Sequence, residues 1–548
     1  MTKEQKNTAR ILIWAFVACT FLCTPFLRSP TLFDDFNIIT PSNLDKIKSL
    51  GLDFSPRIWV YQTFALNQYF SGNDLESYRA FNLALHLLNS LAIFFLCREA
   101  MKQPAQKGAL TKKNSDLNAA LVAGLFALHP IAIFTQAYLI QRTILIATLA
   151  ALCSTLFFLK GLRGSKGFFY LSALFCAISL YSKENSIALP AVLFLLSTVE
   201  AKRRKLSIWG FLRDEKHATA SLLISGIFAI SLVLRLKGLI GSNYEPLTAE
   251  VLEESSLLNG KNLYLLSILN QAKLFFYYVV YWVTPFPNDI VIDIRKPFPT
   301  QVLTPRLWLT AMPFIALNLF LIIKAIKNPK KAAYAFLAIP GILFITEFAA
   351  TRIQENFVLY RSYLWAPFGF IALGIMLSKI ELTKTKLTLF ITLATLFFYS
   401  SCLTLVSLSN PYLAWDAARK IYEENDKNLF VPGGYRIYYN IGTILYDHKN
   451  LELSLENYDK ALKLNSKYTY ALMNRGIVFL DTQQWELALN DFEEASRLSP
   501  LSIKPLIGKA KSLKKLDRQT ELDATLSELC RLSNENTCRE TKEFVNTK

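Results

Sequence analysis

Residues 11–27, 143–159 and 387–408 carry no charged side chain. Each run approaches the ~20 apolar residues that a helix needs to cross a hydrocarbon core about 30 Å thick. The chain as a whole is 52% hydrophobic with a mean hydropathy of +0.27. That is too apolar, and too clustered, for an ordinary soluble enzyme. No small-residue cleavage site follows the first run and many apolar runs come after it, so it reads as a retained helix rather than a removed signal.

The charge is distributed as a membrane protein requires. From Asn410 onward, 20 basic residues balance 20 acidic ones, so the net +18 belongs to the apolar part. There it sits in short runs between spans: Lys3/Lys6/Arg10, Lys102–Lys113, Lys160–Lys166, Lys202–Arg213, Lys324–Lys331 and Lys379–Lys386. Basic loops of this kind stay in the cytoplasm. Zinc spacing, RNA-binding signatures and basic-aromatic platforms are absent, so nucleic acid is not an expected partner. With the basic runs inside, residues 28–77 form a long outer loop. Spans follow near 79–97, 118–135, 143–159, 167–182, 186–200, 217–236, 305–323, 332–349, 360–378 and 387–409. The segment 263–284 is long enough to cross, but a crossing there would break the charge rule at Lys327–Lys331. With Asn270, Gln271 and Lys273 in its middle, it reads better as an interfacial helix. The expectation is all-α: a polytopic membrane domain over 1–409 with about eleven or twelve membrane helices, then a connecting helix over 410–435.

Residues 436–469 and 470–503 repeat at a 34-residue step. Asn440 matches Asn474, Gly442 matches Gly476, Tyr458 matches Phe492 and Ala461 matches Ala495. Residues 504–537 form a degenerate third unit with Ala510 at the glycine position. Period and pattern are those of the tetratricopeptide repeat, whose stacked helix pairs form a concave face for an extended peptide or a partner protein. A packing or oligomerisation module is the plainer reading. Six of the eight cysteines lie in apolar segments, whereas Cys530 and Cys538 are the only pair in the repeat domain. Outside the cytoplasm they would form a disulfide.

Ionisable groups beside membrane spans are costly and therefore candidates for function. Asp34-Asp35, flanked by Phe33 and Phe36, would repel each other and be partly desolvated, which prepares a general base or a cation site. A helix cap or a solvated loop start is the plain alternative. His86 and His129 lie within apolar helices, where a helix-to-helix hydrogen bond is the commoner use. Arg142, Lys183-Glu184 and Arg361 are all expected on the outer side, where converging cations hold a phosphate or snorkel to headgroups.

Taken in order, the DD pair, FNLALHLLNSL, AGLFALHPIAIFTQAYLIQRTILIATL, SLYSKENSIALPAVLFLL, LYRSYLWAPFGF, AWDAARKI and the repeats cover nearly the whole chain. This series resembles the transmembrane-and-tetratricopeptide-repeat glycosyltransferases, relatives of the protein O-mannosyltransferases in the GT-C superfamily, in a bacterial inner-membrane form. One departure is that Tyr360, not Glu, stands beside Arg361. The resemblance implies inverting transfer of a sugar from a polyprenyl-phosphate donor to a protein hydroxyl or envelope glycan, on the periplasmic face. It implies Asp34 or Asp35 as base and Arg142, Lys183 and Arg361 around the leaving phosphate, with His86, His129 and Glu184 in support. The repeats would then be periplasmic and present an acceptor or partner protein. No cofactor is certain; a divalent cation at the DD pair is compatible with the superfamily. The competing class is a non-catalytic membrane scaffold for envelope or pilus assembly. A ligase with a large late outer loop fits poorly, because the outer loop 350–359 is short. A transporter fits poorly too, because paired broken helices in two related halves are not evident.

Overall fold

The computed structural model describes residues 3–32, 35, 40–49, 55–102, 115–242, 262–380 and 383–546. Every regular element among them is helical. Two compact units emerge, one built on residues 1–245, 261–291 and 299–411, the other on 412–548 together with the detached segment 292–298.

In the first unit, eight helices among the described residues are long and apolar enough to cross a membrane. They are joined by one bent pair and by the shorter apolar helices Gly167–Ser182, Ala332–Phe348 and Ala366–Leu377. Their outer faces stay apolar: Phe21, Leu223, Ile227 and Leu309 are 63–75% exposed. Surfaces of that kind are stable against lipid, not water. The all-α, polytopic expectation therefore holds. The bend, 53° between Ser115–Leu128 and Pro130–Ala137, has a local cause. Pro130 has no N–H to give the preceding turn, and His129 Nδ1 caps the new helix by accepting the Ile131 N–H at 3.2 Å.

The helix Leu263–Val283, one of the eight long apolar helices, packs against several others. Near its start the Tyr264 hydroxyl donates to the Phe348 carbonyl at 2.8 Å. Midway, the Phe275 ring packs 5.0 Å from both Phe314 and Phe344. Near its end the Trp282 carbonyl accepts from His129 Nε2 at 3.0 Å.

The second unit is the helical repeat. In each of the first two pairs the glycine exists to admit an aromatic ring. A Cβ on Gly442 would meet the Tyr458 ring at 2.8 Å, and one on Gly476 would meet Phe492 at 2.9 Å. Cys530 and Cys538 are joined as a disulfide, and the described cysteines of the first unit are free. The segment 292–298 was not foreseen as part of this unit. Within it, Arg295 pairs with Asp293 at 2.6 Å and both are buried, while the Phe298 N–H donates to the Phe430 carbonyl at 2.9 Å. A buried ion pair is tolerated only where its remaining donors find acceptors; here Arg295 also reaches the Pro432 carbonyl.

Candidate functional site

Lys183 lies where the helix Gly167–Ser182 ends. Its backbone is extended (φ −154°), and the chain then turns through Glu184–Ala188 before Pro190 opens the next helix. Glu184, beside it, accepts from Arg57 Nε at 2.9 Å. Arg57 is itself held at φ +67°, a left-handed conformation that costs a non-glycine residue about 1–2 kcal/mol. Its N–H donates to the Tyr181 carbonyl at 2.7 Å, so the chain at Arg57 is clamped onto this turn by backbone and side chain together.

The second half of the cluster comes from the stretch between Phe348 and Leu364. The Ser267 hydroxyl receives the Arg352 N–H at 2.8 Å. Gln271 Nε2 reaches the Asn356 carbonyl at 2.7 Å, and the Tyr278 hydroxyl receives the Val358 N–H at 2.9 Å. The helix Leu263–Val283 therefore holds this loop at three points. Glu347, in the turn Ile345–Phe348 just before it and 3% exposed, meets Arg361 at 3.4 Å and Arg352 at 3.7 Å, and Asn185 donates to the same carboxylate. Arg361 also faces the Glu355 carboxylate at 3.5 Å.

Four cations (Arg57, Lys183, Arg352, Arg361) thus meet three carboxylates (Glu184, Glu347, Glu355). The odd one is Lys183. Among the described residues no hydrogen bond or ion pair engages its ammonium. Burial, then the repulsion of Arg57, lowers its pKa to about 7; Arg361 and Arg352 act in the same direction and Glu184 opposes them. A half-buried ammonium among three guanidiniums is a seat for an anion.

Of the expected site residues, the structure brings together Lys183, Glu184 and Arg361. Arg142 is a correction. Its guanidinium is fully buried, donating to Asn82 (2.9 Å), Thr63 (3.2 Å) and the Tyr78 carbonyl (3.1 Å) and facing the Phe64 ring at 3.9 Å. With each of its three nitrogens hydrogen-bonded within the protein and its faces covered by Phe64 and Phe81, it staples helices rather than lining an open site. His86 and His129 link helices by hydrogen bonds. His86 Nε2 donates to the Ala127 carbonyl at 3.0 Å and Nδ1 is hydrogen-bonded to the Tyr363 hydroxyl at 2.8 Å.

Asp34 lies outside the described residues. Asp35 is fully buried, and its two oxygens accept the Ile140 N–H (3.0 Å) and the Leu32 N–H (3.1 Å). Burial pushes its carboxyl up to about 7 against the pull of those two N–H groups and of Arg79. Its geometry is that of an anchor for the outer loop. The Tyr138 ring, two residues before Ile140, meets Tyr360 edge-on at 5.9 Å, which links this anchor to the turn carrying Arg361. Among the described residues no three His, Cys, Asp or Glu side chains converge, and Asp34, the other half of the expected cation site, lies outside them.

Sequence reasoning missed Arg57, Glu347, Arg352 and Glu355. A signal existed, since charges adjoining apolar segments mark function, but nothing in the sequence paired them across 127 or 162 residues.

No protein-family model matches the chain, and no curated protein is similar to it in sequence. Among solved structures, it is similar to the oligosaccharyltransferase of Archaeoglobus fulgidus. Tethered with an acceptor peptide, that protein is 13% identical with a TM-score of 0.38, over 77% of this chain and 57% of that one. In complex with an inhibitory peptide and a dolichol-phosphate, the figures are 13%, 0.36, 79% and 59%. In complex with Zn and sulfate they are 13%, 0.37, 79% and 57%. This chain therefore spans less than two thirds of that protein's length.

Proposed function

We propose that this protein is a membrane glycosyltransferase that moves a sugar from a polyprenyl-phosphate donor to an acceptor hydroxyl on the outer face. The observation that carries this reading is the Lys183 ammonium, engaged by no hydrogen bond or ion pair among the described residues, in one cluster with Arg57, Arg352 and Arg361. The acceptor oxygen attacks the anomeric carbon while the bond from that carbon to the phosphate oxygen breaks, inverting the centre. The hydroxyl proton passes to Asp34, and Lys183 and Arg361 meet the charge that develops on the leaving polyprenyl phosphate. Fixed charges of this kind cost no reorganisation at the moment of reaction. Asp35 holds the loop that carries the base.

The test is transfer of labelled sugar from synthetic polyprenyl-phosphate donors in proteoliposomes. Lys183→Gln is expected to lower kcat/KM by about 10–150-fold, the ~1.5–3 kcal/mol of a charge-assisted hydrogen bond. The pH dependence has a definite sign. A lysine whose pKa lies near 7 loses its cation as pH rises, so donor use falls from pH 6.5 to 8.5, whereas Lys183→Arg stays charged and flattens the profile. Equal transfer by wild type and Lys183→Gln would remove the assignment, and unaltered function of the cell with this variant would favour the scaffold reading.

We read the repeats as lying on the outer face, where they would bind an acceptor or partner protein. Two features support this. Lys324 and Lys327 end the helix Pro305–Lys327, which by the positive-inside rule favours an outer start for it, and residues 292–298, just before it in the chain, belong to the repeat unit. The Cys530–Cys538 disulfide suits an oxidising compartment. A reporter active only outside the cytoplasm, fused after Lys548, should give signal; a silent reporter with a cytoplasmic one active would reverse the assignment.

A further inference from the structure

At the basic ends of the spans a cavity of about 320 Å³ opens between the helices Leu75–Met101, Arg142–Arg163 and Leu189–Arg203 and the turn before Ala332. Its rim carries Lys102, Arg163, Arg203 and Lys330. Its wall is apolar, formed by Leu159, Leu196, Val199 and Phe336. Two carboxylates partly balance the rim. Glu99 pairs with Lys102 at 2.7 Å and with Arg163 at 2.6 Å, and Glu200 pairs with Arg203 at 2.6 Å. Glu200 is shared with Arg204 at 2.7 Å, so the rim keeps an excess of positive charge.

We infer that this cavity binds an anionic phospholipid of the cytoplasmic leaflet. The four basic helix ends mark the cytoplasmic face, which is the anionic one. A rim of ammonium and guanidinium groups over an aliphatic wall matches a phosphodiester attached to a hydrocarbon chain. A soluble phosphate would find the cations but leave the wall against water; a zwitterionic lipid would fill the wall but bring a second cation to a positive rim. The site is separate from the Lys183 cluster, which lies at the opposite ends of the same helices, and holds whether or not that cluster transfers sugar.

The experiment uses the purified full chain in detergent, with native mass spectrometry to count bound lipid and thermal melting to read its effect. Phosphatidylglycerol, phosphatidylcholine and glycerol phosphate are the probes. Phosphatidylglycerol is expected to stay bound and raise the melting temperature, with the other two far weaker. Arg203→Gln combined with Lys330→Gln should weaken phosphatidylglycerol about tenfold or more, since each basic residue near the surface contributes to anionic-lipid attraction. Arg204 still faces Glu200 in that variant. Leu159→Trp, which fills the wall and leaves every charge in place, should displace phosphatidylglycerol as well, and it decides the matter should the double variant fail to fold. Lys183→Gln should bind the lipid as wild type does. Equal retention of phosphatidylcholine, equal stabilisation by glycerol phosphate, or undiminished phosphatidylglycerol binding by Leu159→Trp would each overturn the proposal.

Discussion

Replacing Glu347 with alanine is expected to destabilise the protein by about 3–5 kcal/mol, the cost of leaving buried charges without their partner, and to abolish transfer. Glu347 sits 3% exposed between Arg361 and Arg352 and accepts from Asn185. Without it the two guanidiniums and the Lys183 ammonium confront one another with only Glu355 and Glu184 to offset them. Like charges a few ångströms apart in a poorly solvated site separate if they can. The loop 349–358 would then pull away from the helix Leu263–Val283. Melting followed by tryptophan fluorescence reads the first effect and labelled transfer the second. A loss of stability below ~1 kcal/mol would mean that the cluster is solvated and that Glu347 does not organise it.

Asp34→Asn is expected to lower kcat by about 10²–10⁴, the usual worth of a positioned general base, with the melting temperature unchanged. Asp35→Asn should behave differently. Asn cannot accept the Leu32 and Ile140 N–H groups with both of its side-chain atoms, so one buried donor is stranded at a cost of about 1–3 kcal/mol. The pair of variants therefore separates chemistry from anchoring. Should Asp35→Asn instead remove transfer while melting like wild type, and Asp34→Asn remain active, the base would be Asp35 and the anchor assignment would fall.

How far the chain could be read in advance depended on whether the relevant signal was local. The apolar runs, the basic loops and the 34-residue period are properties of neighbouring residues, so the all-helical membrane unit and the repeats were legible. Arg142 was misjudged for the opposite reason. A cation opening an apolar helix resembles a ligand-binding group until Phe64, Tyr78 and Asn82 are seen to enclose it, and those contacts span 60 residues or more. Glu347 was overlooked likewise. The expected acid beside Arg361 was sought next to it in sequence, whereas the fold supplies one from 14 residues upstream. The segment 292–298 had no local mark of belonging to the repeat unit.

Whether the Lys183 cluster receives the phosphate of a polyprenyl lipid is read most directly from binding of polyprenyl phosphate itself to the purified full chain at pH 6.5, for wild type, Lys183→Gln and Lys183→Arg. Saturable binding is expected for wild type and Lys183→Arg, weakened at least about tenfold in Lys183→Gln. Equal binding by all three proteins, or none by wild type, would contradict that assignment.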